Sequence, residues 1–376
     1  MDWITNLTGW TGHLALCVTI INRLQATALD YRLLRAIKLL LASSLALLGL
    51  VIARHLPAGW NDAVAPYWWL CRAWLGLLAI HWLFRRFSPQ RHWRDGAEHS
   101  TVIELGKSTG PALEVSALVQ RALLLPGNQV LQLEVNRKQM PLGPVAAGLA
   151  GLTVTHLSDL HISDQLGKHF YQEVCDQANQ LSSDLICLSG DLVDRDHCRS
   201  WLADTLGRLQ ARLGVFFVLG NHDARHSDDS SLRQDLVHCG LIDLAGQSCQ
   251  LATGKEGLLL GGTEVPWSGS LEQLESFPGE SPVSLLVSHS PDTIRWACRR
   301  QVSLVLAGHL HGGQIRLPLL GPVVSPSRYG VRFAGGRYRC GNTLLHVSRG
   351  VAGMQPLRWN CRPELTQLEL TDDPLP

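Results

Sequence analysis

A 376-residue chain with 33 basic and 32 acidic side chains carries a net charge of +1 and a pI near 7.7, which gives no global reason to expect nucleic acid as a partner. The length suits two regions better than a single domain. The 10 cysteines lie scattered from Cys17 to Cys361 with no C-x-x-C pair, so they read as reduced packing residues on the cytosolic side of a membrane and not as a disulfide framework.

Residues 1–87 are expected to be transmembrane helices. Residues 3–22 hold no full charge but carry Thr, Asn, Gly and His; residues 39–53 are strongly apolar; residues 63–84 hold Trp68, Trp69, Trp74 and Trp82, with Arg72 as their one full charge. A span needs about 20 apolar residues, so the middle segment must let Lys38 and Arg54 snorkel to the interfaces, while Trp and Tyr suit an aromatic belt. The alternatives are a helical hairpin packed on a soluble domain and an interfacial anchor. No charged n-region precedes a short apolar core, so a cleaved signal peptide is not expected. Arg23, Arg32, Arg35 and Lys38 fill the first connection, and Arg85, Arg86, Arg91 and Arg94 follow the third segment. Positive loops favour the cytoplasm, which predicts two or three spans and a cytoplasmic C-terminal region.

Residues 88–150 read as a connector. Residues 130–135 alternate as a strand, and residues 141–151, with Pro141, Pro144 and three glycines, form a turn into the next region. From residue 151 to 376, strands are expected at 153–157, 185–188, 215–219, 283–287, 302–306, 343–347 and 365–370, and helices at 168–181, 198–213 and 291–300. Strands alternating with helices make an α/β core.

Five of these strands end in polar motifs: Ser158-Asp159-Leu160-His161, Gly190-Asp191-Leu192-Val193-Asp194, Gly220-Asn221-His222-Asp223, Ser288-His289-Ser290 and Gly308-His309-Leu310-His311-Gly312-Gly313. Polar residues just past buried strands collect along a sheet edge, where open α/β folds bind ligands. Each motif alone has an ordinary explanation. Gly, Asn and Asp tolerate turn backbone, and two histidines past a strand can simply lie on the surface. Together, Asp159, His161, Asp191, Asn221, His289, His309 and His311 offer three carboxylate or amide oxygens and four imidazoles. That set suits a pair of divalent cations that clamps the oxygens of a phosphoryl displacement. No thiolate is among them, which argues against a closed structural zinc site. His222 is left over as a general acid for the leaving oxygen. Asp194 reads as a partner of a ligand or a helix cap, Asp223 as a residue orienting an imidazole, and His156 as a packing residue inside its strand.

The series D-x-H, G-D-x-x-D, G-N-H-D, a lone H and G-H-x-H resembles the calcineurin-like metallophosphoesterases, over roughly residues 152–370. The run from Gly308 to Gln314, with Pro326-Ser327-Arg328-Tyr329-Gly330, resembles the bacterial membrane-anchored branch. The resemblance implies two face-to-face β-sheets flanked by helices, a four-layer sandwich. It also implies one metal on Asp159, His161 and His311, a second on Asn221, His289 and His309, and Asp191 between them. The ions would be manganese, iron or zinc, with His222 protonating the leaving group. Arg328 is a candidate for contact with a substrate phosphate. The expected reaction is hydrolysis of a phosphodiester or pyrophosphate bond, with a lipid-linked substrate such as UDP-2,3-diacylglucosamine and the lipid bilayer as partners. The alternatives are a phosphatase of soluble nucleotides or phosphoproteins, and a non-catalytic scaffold.

Overall fold

Side chains on a strand alternate between its faces, and short, wholly apolar strands must therefore be covered on both. The computed structural model describes residues 3–53, 60–87, 99–107, 113–226, 229–253, 257–279, 281 and 283–375. Fifteen strands are formed among them: β1 (His99–Glu104), β2 (Gln132–Pro141), β3 (Thr153–Leu157), β4 (Leu185–Ser189), β5 (Val215–Val218), β6 (Ile242–Asp243), β7 (Ser248–Leu251), β8 (Leu258–Thr263), β9 (Ser284–Ser288), β10 (Leu304–Ala307), β11 (Arg316–Leu317), β12 (Gly321–Pro322), β13 (Gly336–Cys340), β14 (Thr343–Val347) and β15 (Glu364–Thr371). One sheet runs β1-β2-β15-β3-β4-β5-β6, a second runs β13-β14-β10-β9-β8-β7, and β11 with β12 makes a small hairpin.

The alternation sorts the core into two layers. Val154, Leu185, Cys187, Phe216 and Val218 of the first sheet pack with Leu258, Leu260, Leu285, Val287, Leu304, Leu306 and Leu344 of the second. Leu157, Ile186, Leu188, Val215 and Phe217 face the other way, onto Phe170, Tyr171, Val174 and Ala178 of the helix Gly167–Gln180. The result is mixed α/β with two packed sheets and helices on the outside. The five motif-bearing strands divide between the sheets, with β3, β4 and β5 parallel in one and β9 and β10 parallel in the other. The site therefore gathers where the ends of two sheets meet and not along one edge of a single sheet.

One expectation needs correction. The apolar periodicity at Cys198, Leu202, Leu206 and Leu209 is one of burial, but the segment folds as 3-10 turns, Asp196–Trp201 and Leu206–Arg208, and not as a helix over 198–213. The turn at Thr205 (φ −121°, ψ −93°) breaks the path, and the Gly207 N–H folds back onto the Leu202 carbonyl at 2.8 Å. Within the stretch expected to be a connector, β1 and β2 hydrogen-bond into the first sheet, with β2 parallel to β15 over Glu134–Pro141.

The chain divides into two compact units, residues 1–91 with 326–330, and residues 92–325 with 331–376. The smaller unit holds α1 (Trp3–Leu24), α2 (Tyr31–Ala53) and α3 (Trp60–Phe87). Small residues let α1 and α3 approach closely, as in membrane bundles: a Cβ on Gly12 would lie 2.2 Å from the Cys71 carbonyl oxygen. His13 joins the three helices, reaching Ser44 Oγ at 3.0 Å and the Tyr67 hydroxyl. Leu39, Leu40, Leu47 and Leu50 point outward. Among the described residues, Ile4–Leu24 and Tyr31–Leu50 are long and apolar enough to cross a membrane. α3 is not one of these two: Arg72 and His81 dilute the apolar residues of its described stretch.

Candidate metal centre

The loops past β3, β4 and β10 adopt unusual backbone. Asp159, His161, Asp191, His309 and His311 all have φ between 46° and 70°, a region that costs about 1–3 kcal/mol for a residue with a Cβ and collects at functional sites. Gly190 sits at φ +91°, and a Cβ there would lie 2.5 Å from His289 Nδ1. Gly220 is needed for close approach, since a Cβ would sit 2.2 Å from Asp191 Oδ1. The glycines of the motifs thus let the loops converge.

The side chains converge as well. His161 Nε2 lies 3.3 Å from His311 Nε2 and 3.6 Å from Asp191 Oδ2, and His311 Nε2 is 3.5 Å from Asp159 Oδ1. On the other side, His289 Nε2 lies 3.4 Å from Asp191 Oδ2 and 3.2 Å from Asn221 Oδ1. Asp159, His161, Asp191 and His311 form one group that could hold a metal, and Asp191, His289 and His309 form another. Asp191 is common to both. All of these residues except His311 are almost wholly buried.

The imidazoles are aimed by hydrogen bonds at their far nitrogens, the usual arrangement behind metal-ligating histidines. His161 Nδ1 donates to Asp194 Oδ1 at 2.8 Å, His289 Nδ1 to the Ser189 carbonyl at 2.7 Å, and His311 Nδ1 to the Ala352 carbonyl at 3.2 Å. This leaves each Nε2 facing the cluster. His309 Nε2 is buried and has no hydrogen-bond partner, and a buried polar atom without one needs an explanation. Two Nε2 atoms 3.3 Å apart, two carboxylates and an orphaned imidazole nitrogen form a donor set that fits divalent cations.

Burial and then the neighbouring imidazoles His289 and His161 hold His309 and His311, respectively, well below the ordinary imidazole range, so both are neutral, as metal ligation requires. Burial opposes charge on His161, but the Asp194, Asp191 and Asp159 carboxylates push it up to about 9. Burial likewise opposes charge on His289, and Asp191 with Asp159 push it up to about 9. Burial would raise Asp191, yet His289, His222 and His161 hold it well below the carboxylate range. The same field that favours protons on His161 and His289 favours a cation in their place.

His222 lies beside the cluster. Its Nδ1 lies 3.1 Å from Asp194 Oδ1, its ring stands edge-on to His161 with centroids 4.7 Å apart, and its backbone N–H donates to Asp191 Oδ1 at 2.7 Å. One oxygen of Asp194 thereby serves both His161 and His222. Asp223 orients no imidazole: it accepts from the backbone N–H groups of Leu192, Val193 and Gly220 and ties two of the loops together. His156 stays in its strand, fully buried, with Nε2 2.8 Å from Ser189 Oγ and Nδ1 2.9 Å from His346 Nδ1. Arg328 falls in the segment that clusters with the helices, where its carbonyl accepts from Arg23 Nη1 at 2.8 Å.

A sixth strand end contributes residues that the motif reading passed over. Past β8, Glu264 accepts from the Leu219 N–H and pairs with Arg233, bracing the turn before Asn221. Trp267 lays its ring 4.6 Å from that of His309 and 5.3 Å from that of His289, and its buried indole N–H has no partner. The clue was an apolar strand followed by Glu264-Val265-Pro266-Trp267, which lacks the histidines that made the others visible.

Comparison with known proteins gives the family. The model of the family "Calcineurin-like phosphoesterase" matches residues 152–313. The chain is 30% identical over 238 residues to the Bacillus subtilis metallophosphoesterase YkuE, covering 59% of this chain and 80% of that one. It is 31% identical over 225 residues to the Escherichia coli phosphodiesterase YaeI, covering 59% and 83%. A cattle "Transmembrane protein with metallophosphoesterase domain" is 28% identical over 306 residues, covering 75% and 67%. The chain belongs to the calcineurin-like metallophosphoesterases and is a metal-dependent phosphoester hydrolase.

Proposed function

We propose that the chain is a membrane-anchored phosphodiesterase with a dinuclear metal centre, facing the cytoplasm and acting on a lipid-linked phosphodiester or pyrophosphate. The observation that carries the dinuclear reading is Asp191, whose Oδ2 lies within 3.6 Å of Nε2 atoms from both sides of the cluster. Asp159, His161 and His311 would hold one ion, Asn221, His289 and His309 the other, and Asp191 both. Two bound divalent cations would supply Lewis acidity for the phosphoryl oxygens and make a water-derived nucleophile available near neutral pH.

The protein groups do the rest. Asp194 holds the His222 ring through Nδ1 at 3.1 Å, and His222 would donate a proton to the departing oxygen. Asp223 and Glu264 hold the loops that carry Asp191, Asn221 and His222 in register. Preference for a diester is supported by the name of the Escherichia coli relative, a phosphodiesterase. Anchoring by residues 1–87 is supported by the two helices of spanning length and by transmembrane-named relatives. The basic connections on either side of α2 and α3 support the cytoplasmic orientation, and an anchor that keeps the site near head groups supports a lipid-linked substrate.

The test is a substrate panel on the full chain in detergent, reloaded with manganese, iron or zinc. Bis(p-nitrophenyl) phosphate and a UDP-linked acyl glucosamine should turn over faster than p-nitrophenyl phosphate. Preference for the monoester or for free nucleotides would overturn the diester reading. No metal-dependent turnover of either the diester or the UDP-linked substrate would overturn the substrate reading as well.

A further inference from the structure

Three segments beside the metal cluster are stitched into one rim by hydrogen bonds. The end of the helix Ala117–Leu123 leads into Asn128, whose Nδ2 donates to the Ala122 and Pro356 carbonyls and whose Oδ1 accepts from the Arg358 N–H. Trp359 N–H donates to the Gln314 carbonyl, and Arg316 N–H to the Trp359 carbonyl. Gln314 N–H in turn donates to the carbonyl of His311, one of the cluster histidines.

This rim is apolar where it meets solvent. Leu124 is 82% exposed, Leu319 91% and Leu320 57%, and Leu125, Leu317 and Val324 are exposed beside them. Leu319 and Leu320 lie at the tip of the β11–β12 hairpin, where Leu317 pairs with Gly321. Residues 117–128, 314–324 and 354–362 contain no Asp or Glu, whereas they include Arg121 and Arg316; Arg362 pairs instead with Glu134 at 3.7 Å. An apolar patch of this kind marks a surface for binding. We infer that it is a bilayer-docking surface, which inserts the Leu319–Leu320 tip and the Leu124–Leu125 turn among anionic phospholipids.

Two features favour lipid over a protein partner. Leucines at a loop tip backed by arginines and free of carboxylates match the apolar-plus-basic pattern of interfacial anchors, and cytoplasmic leaflets are anionic. The eleven residues 88–98 that separate α3 from β1 cannot reach beyond about 40 Å even when extended. A chain whose helices enter the bilayer thus keeps this rim at high local concentration beside it. The surface does not depend on which phosphoester is cleaved.

The full chain reconstituted in phosphatidylglycerol vesicles that carry a phospholipid with a diazirine in its acyl chain tests this. After illumination and proteolysis, lipid adducts should map to peptides covering 117–125 and 315–324, in addition to the N-terminal helices. The Leu319→Asp/Leu320→Asp variant should cut the hairpin adducts by at least about fivefold, and Leu124→Asp those at the turn, with metal content and turnover of a soluble diester unchanged. Adducts confined to the N-terminal helices would overturn the inference. So would adduct yields unaffected by either variant, or rim peptides linked by an amine-free crosslinker to a second copy of the chain.

Discussion

Replacing Asp194 by Asn keeps its shape and removes its charge, and the structure says what that should cost. Asp194 Oδ1 accepts from His161 Nδ1 at 2.8 Å and from His222 Nδ1 at 3.1 Å, and the two imidazoles, with burial opposing them, hold its carboxyl well below the usual carboxylate range. Hydrogen bonds to a charged group contribute about 1.5–3 kcal/mol each. Losing the charge from two at the low end removes about 3 kcal/mol, or roughly 10²-fold at 1.36 kcal/mol per decade. The loss should divide between a weaker metal, through His161, and slower protonation of the leaving group, through His222. Competition with graded chelator, read by elemental analysis, gives the first part. The kcat of the metal-loaded variant on esters of high and low leaving-group pKa gives the second. Metal affinity and kcat both within about threefold of the wild type would refute the reasoning that one carboxylate serves both rings.

His222→Ala should keep its metals while kcat falls by about 10²–10⁴-fold, less for nitrophenolate than for alcohol leaving groups; loss of metal would reassign it as a ligand or folding residue. Asp191→Ala should abolish activity and lower bound metal by more than one ion's worth, and normal occupancy by elemental analysis would remove its bridging role. Burial drives His156 down to about 4, so between pH 6.5 and 4 the unfolded chain takes up a proton that the folded chain refuses. Its stabilising balance is intact above pH 6.5 and declines by about 3 kcal/mol as pH falls to 4; chemical denaturation in that window should show a shallower decline for His156→Gln, and equal slopes would contradict it. Trp267→Phe keeps the ring against His309 and removes the unpartnered N–H; it should change KM for diesters several-fold with metal content unaltered, and an unchanged KM would assign Trp267 to packing alone.

What could be read in the chain followed from local chemistry. β3 and β14 lie where the apolar runs put them, and β4, β5, β9, β10 and β15 within two residues, because a buried strand flanked by Gly or Ser has few other solutions. The candidate ligands were visible because carboxylates and imidazoles stand out past such strands. Which residues act through others was visible only in part: Asp194 was legible as a partner of a ligand, whereas Asp223 does not orient an imidazole. Asp194 and Asp223 are both Asp in turns, yet one holds two imidazoles and the other three backbone N–H groups, a difference set by loop geometry. Trp267 depends on the second sheet reaching the same point as the first. Residues 198–213 mislead because 3-10 turns wrapped on a core bury every third or fourth residue, as a helix does.

The proposed hydrolysis by two metal ions bound to one chain ties the site's geometry to its activity. The most direct measurement titrates metal-stripped full chain with Mn(II) while bound metal and diester turnover are recorded on the same samples. Turnover should be negligible after chelation and should rise to its plateau only as bound metal approaches about two ions per chain. Full turnover in the chelated protein, or a plateau reached at one ion per chain, would contradict two-metal hydrolysis.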